Sequence, residues 1–114
     1  MQYALLIYEN ESVYGPEKNN PALREIVAKH MSFKEELGSK RIGGAGLAGS
    51  GVATTLRFGN GTKTVHDGPF AETKEQLGGF YLIEAADLDE AIGIAKRVPL
   101  SPDGAVEIRP LLGG

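Results

Sequence analysis

Asp67, Glu72 and Glu75 stand in one short stretch with His66 and Lys74. Carboxylates crowded against an imidazole and an ammonium shift one another's pKa values when the surroundings are partly dry, which suits general acid–base work. Phe70, Phe80 and Tyr81 flank the same stretch and could form the apolar wall of a pocket whose few polar groups are those charges. We therefore take Asp67, Glu72 and Glu75 as candidate catalytic residues, with His66, Lys74, Phe70, Phe80 and Tyr81 as candidate ligand contacts. A plainer reading stands beside this one. Asp67-Gly68-Pro69 has the composition of a turn, Pro69 fixing φ and favouring extended geometry at Gly68, and the charges that follow would then be solvated.

A second constellation is His30 with Lys34, one helical turn apart. On a helix both fall toward the apolar arc, where a histidine titrating near neutrality could bind an anion or move its proton, the lysine lowering its pKa. His30 is a secondary catalytic candidate and Lys34 a ligand contact. The alternative is a half-buried, hydrogen-bonded histidine and a lysine that extends its charge to water.

Other motifs fail on context. Gly44-Ala45-Gly46-Leu47-Ala48-Gly49 spells G-x-G-x-x-G, but it follows a helix and enters a β-branched run, whereas a dinucleotide fingerprint leaves a strand and opens a helix. No nucleotide cofactor is expected. Two histidines without cysteine give no zinc-ligand spacing, so no metal is expected. Ser50 has Ala48 where a nucleophile elbow needs glycine. A net charge of −3 offers no footprint for nucleic acid, and the absence of cysteine suits a reducing cytoplasm. The opening apolar run meets Glu9 too early for a signal peptide or membrane span.

The elements that must position these residues follow from periodicity. At 114 residues, one domain over 1–114 is expected. Met1–Tyr8 reads as a buried central strand and Asn10–Pro21 as a loop. Leu23, Ile26, Val27, Met31, Phe33 and Leu37 share one arc of a helix over Ala22–Leu37, with Gly38 as its stop. Gly43–Gly51 reads as a glycine-rich connector. Val52–Phe58 and Thr62–His66 flank Gly59-Asn60-Gly61 as a hairpin. Phe80–Ile83 is another strand. Asp87 and Glu90 cap a second helix ended by Pro99, and Ala105–Arg109 alternates as a last strand. The order predicts an α+β fold of the ferredoxin-like βαββαβ kind with an extra hairpin strand, helices on one face of the sheet. An apolar opposite face would be covered most simply by a second copy, so a homodimer is expected.

The run from Asp67 through Gly68, Pro69 and Phe70 to Tyr81 resembles the signature of DGPF-domain proteins in the YCII-related family. The likeness extends to Met1–Tyr8, to Asp87-Leu88-Asp89-Glu90-Ala91 and to Glu107-Ile108-Arg109-Pro110, and so covers nearly the whole chain. The resemblance implies a dimeric α/β barrel in which two sheets face each other around a cleft. It names no reaction. Members are often encoded near extracytoplasmic-function sigma factors, and some relatives in the wider superfamily are assigned enzymatic roles on small cyclic substrates. In a sibling branch a His–Asp pair is proposed as the active site, and that dyad is not carried over to His30 or His66. Two readings follow: a protein that binds or converts a small polar or cyclic molecule beside the DGPF motif, or a non-catalytic interaction module accessory to transcriptional regulation.

Overall fold

A computed structural model describes residues 1–14 and 20–113. The first strand, β1 (Gln2–Asn10), alternates strictly between half-buried and buried positions. Tyr3, Leu5, Ile7 and Glu9 point to the covered face, as the two-residue period of a pleated strand requires. β1 lies at the centre of a four-stranded antiparallel sheet of order β2–β5–β1–β6, where β2 is Arg41–Gly46, β5 Glu75–Glu84 and β6 Ala105–Pro110. Helices α1 (Pro21–Leu37) and α2 (Leu88–Ala95) supply Phe33, Leu37, Ala91, Ile94 and Ala95 to a core completed by Tyr3, Leu5, Ile7, Tyr81 and Ile83. This is an α+β chain with the split-βαβ strand order of ferredoxin-like folds.

The expected hairpin is present as β3 (Thr54–Gly59) and β4 (Thr62–Asp67), turning through Asn60 and Gly61, both at positive φ. It forms a separate two-stranded sheet rather than an extra strand of the main one. Leu56, Phe58 and Val65 on this hairpin are exposed.

Several features differ from the sequence reading, among them β5, which begins at Glu75 rather than Phe80. The glycine-rich connector contains β2, an edge strand whose glycines serve close approach. A Cβ on Gly44 would stand 2.5 Å from the Phe80 carbonyl oxygen, and Gly44 has φ +138. The N-terminal arc of α1 is not core. Val27 and Met31 are exposed and only Phe33 and Leu37 are buried, so the helix closes on the sheet only toward its C-terminal end. Finally, α2 stops at Ala95, ahead of Pro99, because Arg97 and Val98 tighten into bonds to the carbonyls three residues back. Both helix starts are capped by side chains: Asn20 accepts from the Ala22 amide and Asp87 from the Glu90 amide.

The face of the sheet away from the helices carries Ala4, Leu6 and Tyr8 of β1 beside Phe80 and Leu82 of β5, all half-buried. Among the described residues, no helix is long and apolar enough to cross a membrane.

Candidate functional site

Where the N-terminal half of α1 stands off the sheet, a cavity of about 580 Å³ opens. Its helix wall is Leu23, Ile26, Val27, Met31, His30 and Lys34. The sheet supplies Ile7, Glu9, Gln76 and Tyr81, and Glu11 and Tyr14 of a 3-10 turn (Glu11–Tyr14) close one end. The backbone from Ala45 to Gly49 forms the remaining side. Glycine helps keep the space empty. Gly79 pairs with Ile7 and would face the helix, yet a Cβ there would meet the Ala45 carbonyl oxygen at 3.0 Å and Gly46 Cα at 3.3 Å.

Inside the cavity, His30 Nδ1 lies 2.7 Å from the Tyr81 hydroxyl, and the two rings stack with centroids 5.8 Å apart. Phe33 meets Tyr81 edge-on at 5.2 Å, which fixes the phenol from behind. Burial lowers the His30 pKa below the ordinary imidazole value; the charge of Glu9 opposes this, Lys34 adds to it, and the Pro99 carbonyl opposes it weakly. Burial raises the Tyr81 pKa, with Arg41 pulling the other way. Both shifts favour the uncharged forms at neutral pH. The phenol is the stronger acid of the two neutral groups, so it donates and Nδ1 accepts. The result is a rigidly held neutral imidazole whose proton sits on Nε2, from which it can be donated to a bound molecule while the phenol proton moves toward Nδ1.

Glu9 is the second polar feature. It is buried at the end of β1, and its Oε2 accepts from the Tyr14 hydroxyl and, at 2.7 Å, from the Ser101 amide. Burial first, and then Glu9, push the Tyr14 phenol pKa upward, which keeps Tyr14 a donor. Glu11 reaches across to Ser50, accepting from its amide at 2.7 Å and its hydroxyl at 2.6 Å, and so ties down the loop after β2.

Of the residues singled out from the sequence, the cavity brings together His30, Lys34, Phe80 and Tyr81. It does not include Asp67, Glu72, Glu75, His66, Lys74 or Phe70. Asp67 and His66 are exposed on β4, where His66 Nε2 lies 3.0 Å from Thr64 Oγ1. Glu72 and Lys74 are exposed between β4 and β5, and Glu75 is exposed at the start of β5 opposite Asn10. Phe70 is exposed, with the Arg57 guanidinium 4.9 Å from its ring centre. The turn itself is held by backbone: the Gly68 amide donates to Ala53 O at 2.7 Å, Thr55 Oγ1 donates to Gly68 O, and Arg57 donates to Phe70 O. The far end of the signature, Gln76 and Gly78 to Tyr81, does line the cavity. Among the described residues, no group of three or more His, Cys, Asp or Glu is placed to hold a metal ion.

Glu9, Glu11, Tyr14 and Gln76 were not anticipated. Glu9 carried a signal, since Tyr3, Leu5, Ile7 and Glu9 share one face at a period of two and a carboxylate there must be inward. Tyr14 and Gln76 depend on how distant segments meet and carried none.

A protein of Rhizobium meliloti (strain 1021), described as uncharacterised, is 42% identical to this chain over 118 residues, spanning 97% of this chain and 92% of its own length. The sequence pattern of the YCII-related domain matches residues 1–113. With the strand order, the DGPF turn and the cavity wall built from the signature's end in view, this chain belongs to the YCII-related domain family.

Proposed function

We propose that the chain binds a small, largely apolar molecule in the cavity beneath α1 and moves a proton on it through His30. The observation that carries this is the 2.7 Å contact between His30 Nδ1 and the Tyr81 hydroxyl within a partly open cavity of about 580 Å³. A volume of that order is typical of small-molecule sites, and a neutral imidazole backed by a phenol is a group whose tautomer and orientation are set in advance. His30 is the proton-transfer residue, Tyr81 its positioning partner, and Lys34 a contact at the cavity rim. Asp67, Glu72 and Glu75 belong to this reading only if the neighbouring protomer of an assembly brings them to a cavity.

The assembly we propose is a homodimer. Its support is the run of half-buried apolar side chains Ala4, Leu6, Tyr8, Phe80 and Leu82 on the sheet face without helices, together with an apolar hairpin that stands apart from the core. The same hairpin favours a second reading, in which the chain is an interaction module and Phe58, Val65 and Phe70 meet a partner protein.

The deciding experiment is a thermal-shift screen of a metabolite panel against wild type and His30→Gln. Compounds that raise the wild-type melting temperature and leave His30→Gln unmoved support the first reading. A panel in which every stabilising compound acts equally on both proteins would sink it, and light scattering of the same samples reads the oligomeric state.

A further inference from the structure

Among the described residues, Glu9 is the single charged side chain that is buried, at 8% exposure. Its two protein donors converge on one oxygen: the Tyr14 hydroxyl and the Ser101 amide both donate to Oε2. No donor among the described residues reaches Oε1. That atom lies over the glycine stretch of β5 that floors the cavity, 3.9 Å from where a Cβ on Gly78 would stand. Lys34, the ammonium that lines the same cavity, makes no ion pair with Glu9.

A carboxylate oxygen has two lone pairs and no proton to give, so in a largely apolar cavity it favours an occupant that can donate to it. Unlike Arg41 Nε and Ser101 Oγ, which are buried without a partner among the described residues, Oε1 opens to the cavity and takes its partner from whatever fills that space. The partner must donate. An anionic head group would meet Glu9 as a like charge, whereas a hydroxyl or an ammonium would complete its hydrogen bonding. The walls on the helix side are aliphatic, from Leu23, Ile26, Val27 and Met31, so the rest of the occupant is apolar. His30 and Glu9 line the same space closely enough for their charges to interact, which brings the donating head beside the imidazole.

We infer that Oε1 of Glu9 is the acceptor that anchors the cavity's ligand, and that this ligand is a small molecule with an apolar body and a hydrogen-bond-donating head, hydroxyl or ammonium, rather than a carboxylate or phosphate. The inference rests on the reading of this cavity as a ligand site and specifies what that site selects. Glu9 recognises the head, and His30 lines the same space beside it.

The test uses four single-ring probes of similar size: 2-phenylethanol, 2-phenylethylamine, phenylacetate and ethylbenzene. Binding to the wild-type protein and to Glu9→Gln is followed by titration calorimetry and by chemical-shift changes at His30. The alcohol and the amine bind wild type more tightly than ethylbenzene, and phenylacetate binds most weakly. In Glu9→Gln the amine loses about tenfold or more in affinity, the range for a hydrogen bond to a charged group, and the alcohol loses less because the amide oxygen still accepts. Phenylacetate binding as well as the alcohol, or an amine affinity unchanged by Glu9→Gln, would overturn the assignment. Ethylbenzene binding as tightly as the alcohol and the amine overturns it too, but leaves the cavity as a ligand site. If none of the four binds, both readings fall. Should Glu9→Gln not fold, the order of the four probes on wild type decides.

Discussion

The His30 imidazole on α1 and the Tyr81 phenol on β5 meet at 2.7 Å although 51 residues separate them in the chain. A helix that stands off the sheet at one end and closes on it at the other makes this possible. Phe33, one turn beyond His30, packs edge-on against the same phenol and holds both rings in register. The pair is therefore a product of the core as much as of the cavity.

Removing the phenol hydroxyl takes away a donor to the neutral imidazole, and a bond to the neutral form holds the pKa down. Tyr81→Phe should raise the His30 pKa relative to wild type, read from the imidazole C2–H signal in an NMR titration. A His30 pKa that falls in Tyr81→Phe would mean that the histidine, not the phenol, donates. The stability cost should be about 1 kcal/mol, the net worth of one hydrogen bond.

The lowered pKa of His30 also ties stability to pH. The unfolded chain takes up the proton at the ordinary imidazole value of 6.5, the folded chain only below it, so stability is fully present above that value. It is lost as pH falls from 6.5 toward the folded-state pKa. Melting temperatures measured from pH 7.5 down to 5 should therefore fall more steeply for wild type than for His30→Gln. Parallel curves would show that His30 titrates alike in both states.

Gly44 and Gly46 lie two residues apart on β2 with opposite expectations. Gly44 combines φ +138 with a carbonyl oxygen 2.5 Å from the missing Cβ, while nothing lies within 4 Å of a Cβ on Gly46. Gly44→Ala should destabilise by more than about 1 kcal/mol, and Gly46→Ala should stay within about 0.5 kcal/mol. Urea denaturation of the two variants makes the comparison, and equal effects would contradict the close packing of β2 on β5.

Asp67 lies at the exposed end of β4, away from the cavity of its own chain. Asp67→Asn should leave every cavity ligand bound as in wild type when measured on monomeric protein. If the same substitution weakens binding only at concentrations where a dimer forms, the carboxylate acts on the neighbouring protomer's cavity.

The continuous apolar run of Met1–Tyr8, the Asp87 cap and the Asn60-Gly61 turn made most of the elements legible, because each depends on neighbours in the sequence. β2 was hidden: Gly43, Gly44 and Gly46 lack strand propensity, and only the backbone of β5 beside them explains why side chains are excluded. The candidate site was half legible. His30 and Lys34 stand out as a histidine and a lysine on an apolar arc, and Tyr81 lies within the signature. The acidic stretch drew attention through its density of charge, yet charge density in sequence does not tell a solvated turn from a cleft. Glu9, a lone carboxylate at the end of an apolar strand, was the quieter and better placed signal.

The position of β1 at the centre of the sheet has a consequence for synthesis. Both of its neighbours come late: Gln2 pairs with Glu84 and Tyr3 with Pro110. While the chain is being made, the apolar run Tyr3–Tyr8 has no strand to pair with until β5 has left the ribosome, and its second edge stays bare until β6 follows. Contacts this distant slow folding and leave an unpaired strand open to association with other chains. The nascent protein should thus depend on chaperone protection until its last strand emerges.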